Sequence, residues 1–429
     1  MPDCLAPTGG DVPIVGIFVL ALCALAAGLL VIRRRRGATR TRRGTALALA
    51  LVLGIGALST GVAAPTSAAA ATGCSTIADD TDIAFVSGGV TYRGSYRAPV
   101  DPSRPVAAAV IVGGTGEVDR DGDGACIPMG EYRWLAGLLS AEGIASLRYD
   151  KLGTGATGLG PDAGDPDALL TLGYDRIRVQ PVRDALSFLA AQAGVDRTRL
   201  LLVGHSEGGA VTLAVASGPG SAPAPAGLLL IEPSYDRILD VVPRQLDEQL
   251  DAAIAGGAMT SADADALKTW MTDGVEQIRS GTPPYPAPGP APVPDATGYA
   301  AVMQSTIAGN IFGSDPAQMV ISHAYRTPYG KQFDEIDPAA LAPSIEVPTL
   351  VTCGTKDTNT PCGDGSAGSG VASLAGTFAP GVARFVELPD VVHILRDVGA
   401  DDVPNLADQV AYPLSAQLEL AAFVAPFRT

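Results

Sequence analysis

Residues 200–209 read Leu200-Leu201-Leu202-Val203-Gly204-His205-Ser206-Glu207-Gly208-Gly209, an apolar run with strand character that ends in Gly-x-Ser-x-Gly. A helix-compatible segment, Ala210 to Ser217, follows at once. No other stretch constrains the fold as much as this succession of strand, sharp turn and helix. Such a turn strains the serine backbone and lifts its hydroxyl above the sheet edge. Gly204 and Gly208 carry no side chain, so strand and helix can approach closely at the bend. With 51 Gly in 429 residues the five-residue pattern could arise by chance, and its flanks are what give it meaning.

A serine hydroxyl is a weak nucleophile at neutral pH and needs a neighbouring base, most often histidine. The chain has three histidines, His205, His323 and His393. The His205 side chain cannot easily fold back onto the adjacent hydroxyl, so it reads as a packing or supporting residue. His323 falls in a segment read as an insertion, where a structural role is favoured. His393 follows the strand-like run 384–389 near the C-terminus and is the expected base. The carboxylate that fixes the tautomer of the base is expected to be Asp357, just past the apolar run Thr349-Leu350-Val351-Thr352-Cys353-Gly354. Asp390 ranks second, because it lies too close to His393 in sequence to have a strand end of its own.

An acyl transfer also needs N–H donors for the oxyanion. The amide of Glu207, directly after the serine, is one. The second is expected from the glycine loop Gly113-Gly114-Thr115-Gly116 behind the buried run 106–112, at either Gly114 or Thr115. No Gly-Lys-Ser/Thr follows this loop, and its spacing does not fit a dinucleotide fingerprint, so phosphate binding is disfavoured.

Five stretches together resemble the α/β-hydrolase superfamily, in particular bacterial esterase and serine-aminopeptidase-like members. They are Gly113 to Gly116 with Asp119-Arg120-Asp121-Gly122, Arg148-Tyr149-Asp150-Lys151-Leu152-Gly153-Thr154-Gly155, Gly204 to Gly209, Gly354-Thr355-Lys356-Asp357, and Val391-Val392-His393-Ile394-Leu395. They run in the family's order from about residue 80 to the C-terminus. The resemblance implies the fold and a Ser-His-Asp triad, and it leaves the substrate open among esters, thioesters, peptides and acyl acceptors. Leu152 stands where relatives tend to carry a basic residue, which leaves the charge near the pocket to be found elsewhere.

Strands alternating with helical stripes predict a mostly parallel sheet covered on both faces. The stripes include Trp134, Leu135, Leu138 and Leu139, and later Ile177, Val182, Leu186 and Leu189. Residues 82–100 read as a hairpin around Gly88-Gly89, and residues 409–424 as the closing helix. Between Glu232 and about Ile345 the strand rhythm stops. Helices are expected near 236–256 and 261–279, followed by a proline run from Pro283 to Pro294. This length suits a mainly helical cap over the site.

The chain thus divides into 1–45, an apolar segment with an arginine cluster, and 46–72, a second, signal-like apolar segment. The core follows in 73–232, the cap insertion in 233–345, and the rest of the core in 346–429.

The segment Val12 to Ile32 is long enough to span a bilayer, and Arg33-Arg34-Arg35-Arg36 follows it with Arg40, Arg42 and Arg43 close behind. A second apolar stretch runs from Ala46 to about Val62. The arginines belong on the cytoplasmic side. Either a helical hairpin or a signal peptide cleaved within Ala63 to Ala71 then places the remainder outside the cytoplasm, anchored to the membrane or secreted. Leu5-Ala6-Pro7-Thr8-Gly9 with an apolar span and arginines resembles a cell-wall sorting signal, but such signals belong at a C-terminus. Cys74 lies too far past the apolar run for a lipobox.

Net charge is −16. The first 72 residues hold seven Arg and two Asp, so the remainder carries −21, which argues against nucleic-acid binding. Four cysteines fall in the exported portion: Cys74, Cys126, Cys353 and Cys362. Two disulfides are allowed in three connectivities. A Cys353–Cys362 bridge around the Asp357 loop is favoured, and Cys74 with Cys126 would follow.

Asp119-Arg120-Asp121-Gly122-Asp123-Gly124 matches the first half of a calcium loop, but position twelve is Gly130, so no metal site is expected. Three scattered histidines cannot supply a zinc site, and no cofactor is expected. The reading is an exported serine hydrolase acting on a small ester or acyl substrate through an acyl-enzyme. An acyltransferase or peptidase on the same residues is the alternative, and a non-catalytic envelope binding protein is the remote one. Oligomeric state is not legible.

Overall fold

The structure, a computed structural model, describes residues 80–99, 105–116, 118–124, 129–162, 172–280, 300, 303, 327–399 and 412–428. Both N-terminal apolar stretches, Cys74, Cys126, His323 and the proline run lie outside the described residues. Among the described residues no helix is long and apolar enough to cross a membrane.

An eight-stranded sheet forms the centre. Its strands are β1 (Asp80–Ser87), β2 (Val90–Arg97), β3 (Val106–Val112), β4 (Ala145–Tyr149), β5 (Val195–His205), β6 (Gly227–Ile231), β7 (Thr349–Gly354) and β8 (Ala383–Leu388), in spatial order β1-β2-β4-β3-β5-β6-β7-β8. β1 and β2 form the expected hairpin around Gly88-Gly89, and β2 runs antiparallel to β4. Every pairing from β4 onward is parallel. A two-residue ribbon, β9 (Val391–Val392) with β10 (Arg396–Asp397), follows β8.

The apolar runs of the central strands are continuous because both faces are covered. Side chains alternate across a strand, so β3 feeds Ala108, Val110 and Val112 to one core and Ala107, Ala109 and Ile111 to the other. β5 and β6 divide in the same way. Helices α1 (Glu131–Ala141) and α9 (Leu414–Val424) close one face with Leu135, Leu139, Leu420 and Val424. Helices α2 (Gln180–Ala190) and α3 (Glu207–Ser217) close the other with Val182, Leu186, Leu189, Val211 and Leu213.

Between β6 and β7 lie α4 (Ile238–Ala255), α5 (Ser261–Ser280), α6 (Pro328–Glu335) and α7 (Pro338–Leu341), with α8 (Val371–Ala375) beyond β7. The first two coincide with the helices read at 236–256 and 261–279. Asp334 of α6 ties them down: it pairs with Arg237 at 2.5 Å and with Arg279 at 2.9 Å, while Arg279 also reaches Asp240 at 2.8 Å. Gln245 of α4 donates to the carbonyl of Asn359, at 2.5 Å, so this insertion rests on the loop that follows β7.

Two boundaries differ from the expectation. The closing helix begins at Leu414, not at 409, because Pro413 precedes it and holds Tyr412 out of the helical region. The helical face that includes Ile177 begins with a π-helical turn, Asp175–Val179, before Pro181 enters the first turn of α2.

The tightest backbone approach sits where β3, β5 and α3 meet. A Cβ on Gly208 would lie 2.1 Å from the Val112 carbonyl oxygen, and one on Gly204 would lie 2.4 Å from the Gly208 oxygen. A methyl group there must displace backbone, at a cost of about 1–3 kcal/mol. Gly208→Ala is therefore expected to lower Tm by several degrees in a circular-dichroism melt. Gly218→Ala, whose Cβ would meet nothing closer than 3.7 Å, is expected to leave Tm unchanged.

Candidate active site

Ser206 occupies the position immediately after β5 and caps α3. Its φ of 56° and ψ of −126° show the strained turn that the sequence predicts. Three backbone hydrogen bonds hold it there: Ser206 N–H donates to Ile231 O at 3.1 Å, and Ser206 O accepts from Gly209 and Ser234, each at 2.9 Å. Strain of this kind costs of order 1–3 kcal/mol and persists where surroundings over-determine it.

The fold brings Ser206, His393 and Asp357 together from the ends of β5, β9 and β7. His393 Nε2 lies 3.0 Å from Ser206 Oγ, and His393 Nδ1 lies 2.8 Å from Asp357 Oδ2. Asp357 is buried and accepts from the Asn359 and Thr360 amides at 2.7 and 3.0 Å and from the Thr360 hydroxyl at 2.7 Å. Burial alone would raise its pKa, but His393 and Thr360 outweigh burial and hold it below the ordinary carboxylate value. An ionised Asp357 places the proton on Nδ1 and turns the Nε2 lone pair toward Ser206. Asp390 is directed elsewhere: its amide donates to the Thr355 hydroxyl at 2.9 Å and its carboxylate lies 3.6 Å from Lys356. Cys353 and Cys362 form a disulfide across the Asp357 loop.

His205 has a structural task that can be derived from its contacts. Burial, with His393 nearby, lowers its pKa to about 3, so it is neutral. Its Nε2 lies 2.8 Å from the His393 carbonyl, which can only accept, so Nε2 carries the proton. Nδ1 must then accept, and the Tyr132 hydroxyl donates to it at 3.0 Å. The Tyr132 oxygen in turn accepts the Gly114 amide at 2.9 Å. One directional chain thus runs from the glycine loop through Tyr132 and His205 to the backbone of His393.

That chain corrects one expectation. The Gly114 amide is committed to Tyr132 and is not available to a substrate. Gly114 still matters by its smallness, since a Cβ there would lie 2.8 Å from Ser206 Cβ. Thr115 is the remaining candidate for the second donor, beside the Glu207 amide at the start of α3.

The side chain of Glu207 proves as constrained as its amide. It accepts from Arg178 Nε at 2.9 Å, the Tyr174 hydroxyl at 2.6 Å and the Thr115 hydroxyl at 2.7 Å. Burial opposes its charge, yet Arg178 and Lys151 prevail and hold its pKa at about 2. Arg178 also donates to Gly113 O at 2.7 Å, and Lys151 to Gly114 O at 2.5 Å and Gly116 O at 2.7 Å. Leu152 is buried core. The positive charge by the glycine loop therefore comes from Lys151, one residue earlier, and from Arg178. Tyr174 stacks on Phe333 of α6 with ring centroids 4.6 Å apart, which couples the insertion to this network.

Sequence reasoning missed Tyr132, Arg178, Lys151 and Glu232. Glu232 had a signal: it is the first residue after the buried strand β6, at the carboxyl edge of a parallel sheet, where such folds build their sites. It has a φ of 46° and is wholly buried, and neither carboxyl oxygen has a hydrogen-bond partner. It lies 3.8 Å from His393 Nδ1 and 4.0 Å from His205 Nε2. Burial first, then Asp357 and Glu131, raise its pKa well above the ordinary value, so it is neutral where Asp357 is charged.

An acid whose folded pKa is raised binds more protons folded than unfolded, so its contribution to stability falls as pH rises above about 4.5. Glu232→Gln, isosteric and always neutral, removes that loss. Its Tm relative to the wild type is expected to rise as pH is raised above about 5, measured by calorimetry.

No family model matches the chain, and no curated protein matches it. Solved structures do resemble it. An esterase of Pyrococcus furiosus is 13% identical with a TM-score of 0.46, covering 85% of this chain and 97% of its own. The α/β hydrolase GrgF from a Penicillium species is 15% identical with a TM-score of 0.45, covering 82% and 99%. A 2,6-dihydroxy-pseudo-oxynicotine hydrolase is 13% identical with a TM-score of 0.43, covering 82% and 68%. Likeness this distant leaves the assignment to the chain's own topology. With strand order β1-β2-β4-β3-β5-β6-β7-β8, a strained serine turn after β5 and residues 357 and 393 delivered from the ends of later strands, the chain has the α/β-hydrolase fold.

Proposed function

We propose that the chain is an exported serine hydrolase that cleaves small carboxylic esters through an acyl-enzyme. The observation that carries this reading is the unbroken hydrogen-bond line from Asp357 through His393 to Ser206. As His393 Nε2 takes the Ser206 proton, Oγ attacks the ester carbonyl and a tetrahedral oxyanion forms. The amides of Glu207 and Thr115 receive that oxyanion, each donor of this kind being worth about 10²–10³ in rate. Asp357 stabilises the imidazolium. Nε2 then protonates the leaving alcohol, and the C–O bond breaks to leave Ser206 acylated. Water, deprotonated by the same nitrogen, attacks the acyl carbonyl, and Ser206 leaves with its proton restored.

The ion pair of Glu207 with Arg178 supports this reading, because it fixes the turn beside the serine without placing a free charge at the reacting carbonyl. The Cys353–Cys362 bridge, the −21 charge on the portion after residue 72 and the arginine-flanked apolar N-terminus support a location outside the cytoplasm, where disulfides persist.

A fluorophosphonate probe is expected to label the wild type and not Ser206→Ala. The same substitution is expected to lower kcat on p-nitrophenyl acetate by at least about 10⁴. Asp357→Asn is expected to keep the probe-reactive serine but lose about 10⁴ in kcat, because the imidazole then holds the wrong tautomer. Equal labelling of wild type and Ser206→Ala, with no esterase activity in the wild type, would refute the assignment.

A further inference from the structure

We propose that Asp119, Asp123 and Glu131 form a binding site for a hard divalent cation, calcium in kind, where the loop 119–123 meets the first turn of α1. The site is separate from the serine centre, and the inference does not depend on the proposed activity.

The loop carries the Asp-x-Asp-x-Asp-Gly spacing at residues 119–124, and the carboxylates of Asp119, Asp121 and Asp123 approach within 4.8 Å of one another. An acidic loop alone can be a solvated turn, so each oxygen must be followed to its partner. Asp121 is fully used: Arg148 donates to one oxygen at 2.8 Å and Arg133 to the other at 2.8 Å. It anchors the loop to the sheet. Asp119 Oδ1 accepts the amides of Asp121 and Asp123 at 2.8 and 3.0 Å, which leaves Oδ2. Asp123 Oδ2 takes Arg133 at 2.9 Å, while Asp123 Oδ1 is buried and has no partner.

The second observation is Glu131, which is 2% exposed with Oε2 unpartnered. Its carboxylate lies against the middle of the loop: a Cβ on Gly122 would sit 2.5 Å from Oε2. In sequence Glu131 stands at position thirteen, one residue beyond the acid of a calcium loop. The fold brings it back, because the Asp121 carbonyl accepts the Tyr132 and Arg133 amides at 3.2 and 3.3 Å and so turns the start of α1 onto the loop.

A buried carboxylate without a partner must find a proton or a cation. The groups facing Glu131 are Asp119 and Asp123 of the loop and Arg396 of β10, with Glu232 beyond. All donors are carboxylate oxygens in an irregular array, which suits calcium better than magnesium and excludes the soft metals. Water would complete the coordination.

Purified full-length protein, stripped with EDTA and titrated with calcium chloride by calorimetry at pH 7.5, tests the site. One ion per chain is expected, with a Kd of about 10⁻⁵–10⁻³ M, a rise in Tm and weaker binding of magnesium. Glu131→Gln and, as a second variant, Asp123→Asn are each expected to weaken binding at least about tenfold. Asp364→Asn, an exposed acid in another turn, is expected to bind as the wild type does. The proposal is overturned if about 10 mM calcium, roughly ten times the weakest expected Kd, gives neither heat nor a Tm change. It is equally overturned if folded Glu131→Gln and Asp123→Asn bind as tightly as the wild type.

Discussion

Everything in the site is measured from one steric constraint: three backbone segments meet with no room for a β-carbon between them. The exit of β3, the exit of β5 and the first turn of α3 touch through Val112, Gly204 and Gly208, with imaginary Cβ distances of 2.1 and 2.4 Å. Gly114 continues the contact onto Ser206. Because backbone meets backbone, neither the serine hydroxyl nor the amide of Glu207 can wander. The strained φ at Ser206 is the visible cost of that packing, and parallel pairing with β3 and β6 on either side sustains it.

Around that fixed point three of the buried ionisable groups, Glu207, Glu232 and His205, settle as one charged and two neutral side chains. Glu207 is charged, because Arg178 and Lys151 are beside it. Glu232 is neutral, because its charged neighbours are acids. His205 is neutral, because burial first and then the neighbouring His393 oppose its charge. Desolvation of an ion costs several kcal/mol, so burial alone would neutralise all three. The identity of the nearest partner decides which group escapes. The result is a site in which the glycine loop, the serine turn and His393 are tied together by oriented hydrogen bonds.

Much of this was legible in the chain. The turn at Ser206, the strands at 106–112 and 349–354 and the pairing of Cys353 with Cys362 follow from local patterns: glycines flanking a serine, apolar runs with sharp stops, and two cysteines bracketing one loop. Asp357 and His393 were legible because each follows a strand-like run in the expected order. The choice between Gly114 and Thr115 was not legible, since it depends on a hydroxyl eighteen residues away, at Tyr132, that claims one amide. Arg178 was not legible, because nothing local reveals that a guanidinium in the π-helical turn before α2 meets Glu207 on α3.

By itself the sequence determined the order of strands and helices, the place of the sharp serine turn and the short list of residues able to do acyl chemistry, because each of these is written within a few neighbouring positions. Only the tertiary structure decided which of those residues meet, which amide stays free, which buried acid keeps its charge and how Glu131 returns to an acidic loop that spacing alone left incomplete. Those outcomes depend on distances between groups far apart in the chain, and in a low-dielectric interior a partner at 3 Å rather than 8 Å changes both the protonation state and the direction of a hydrogen bond.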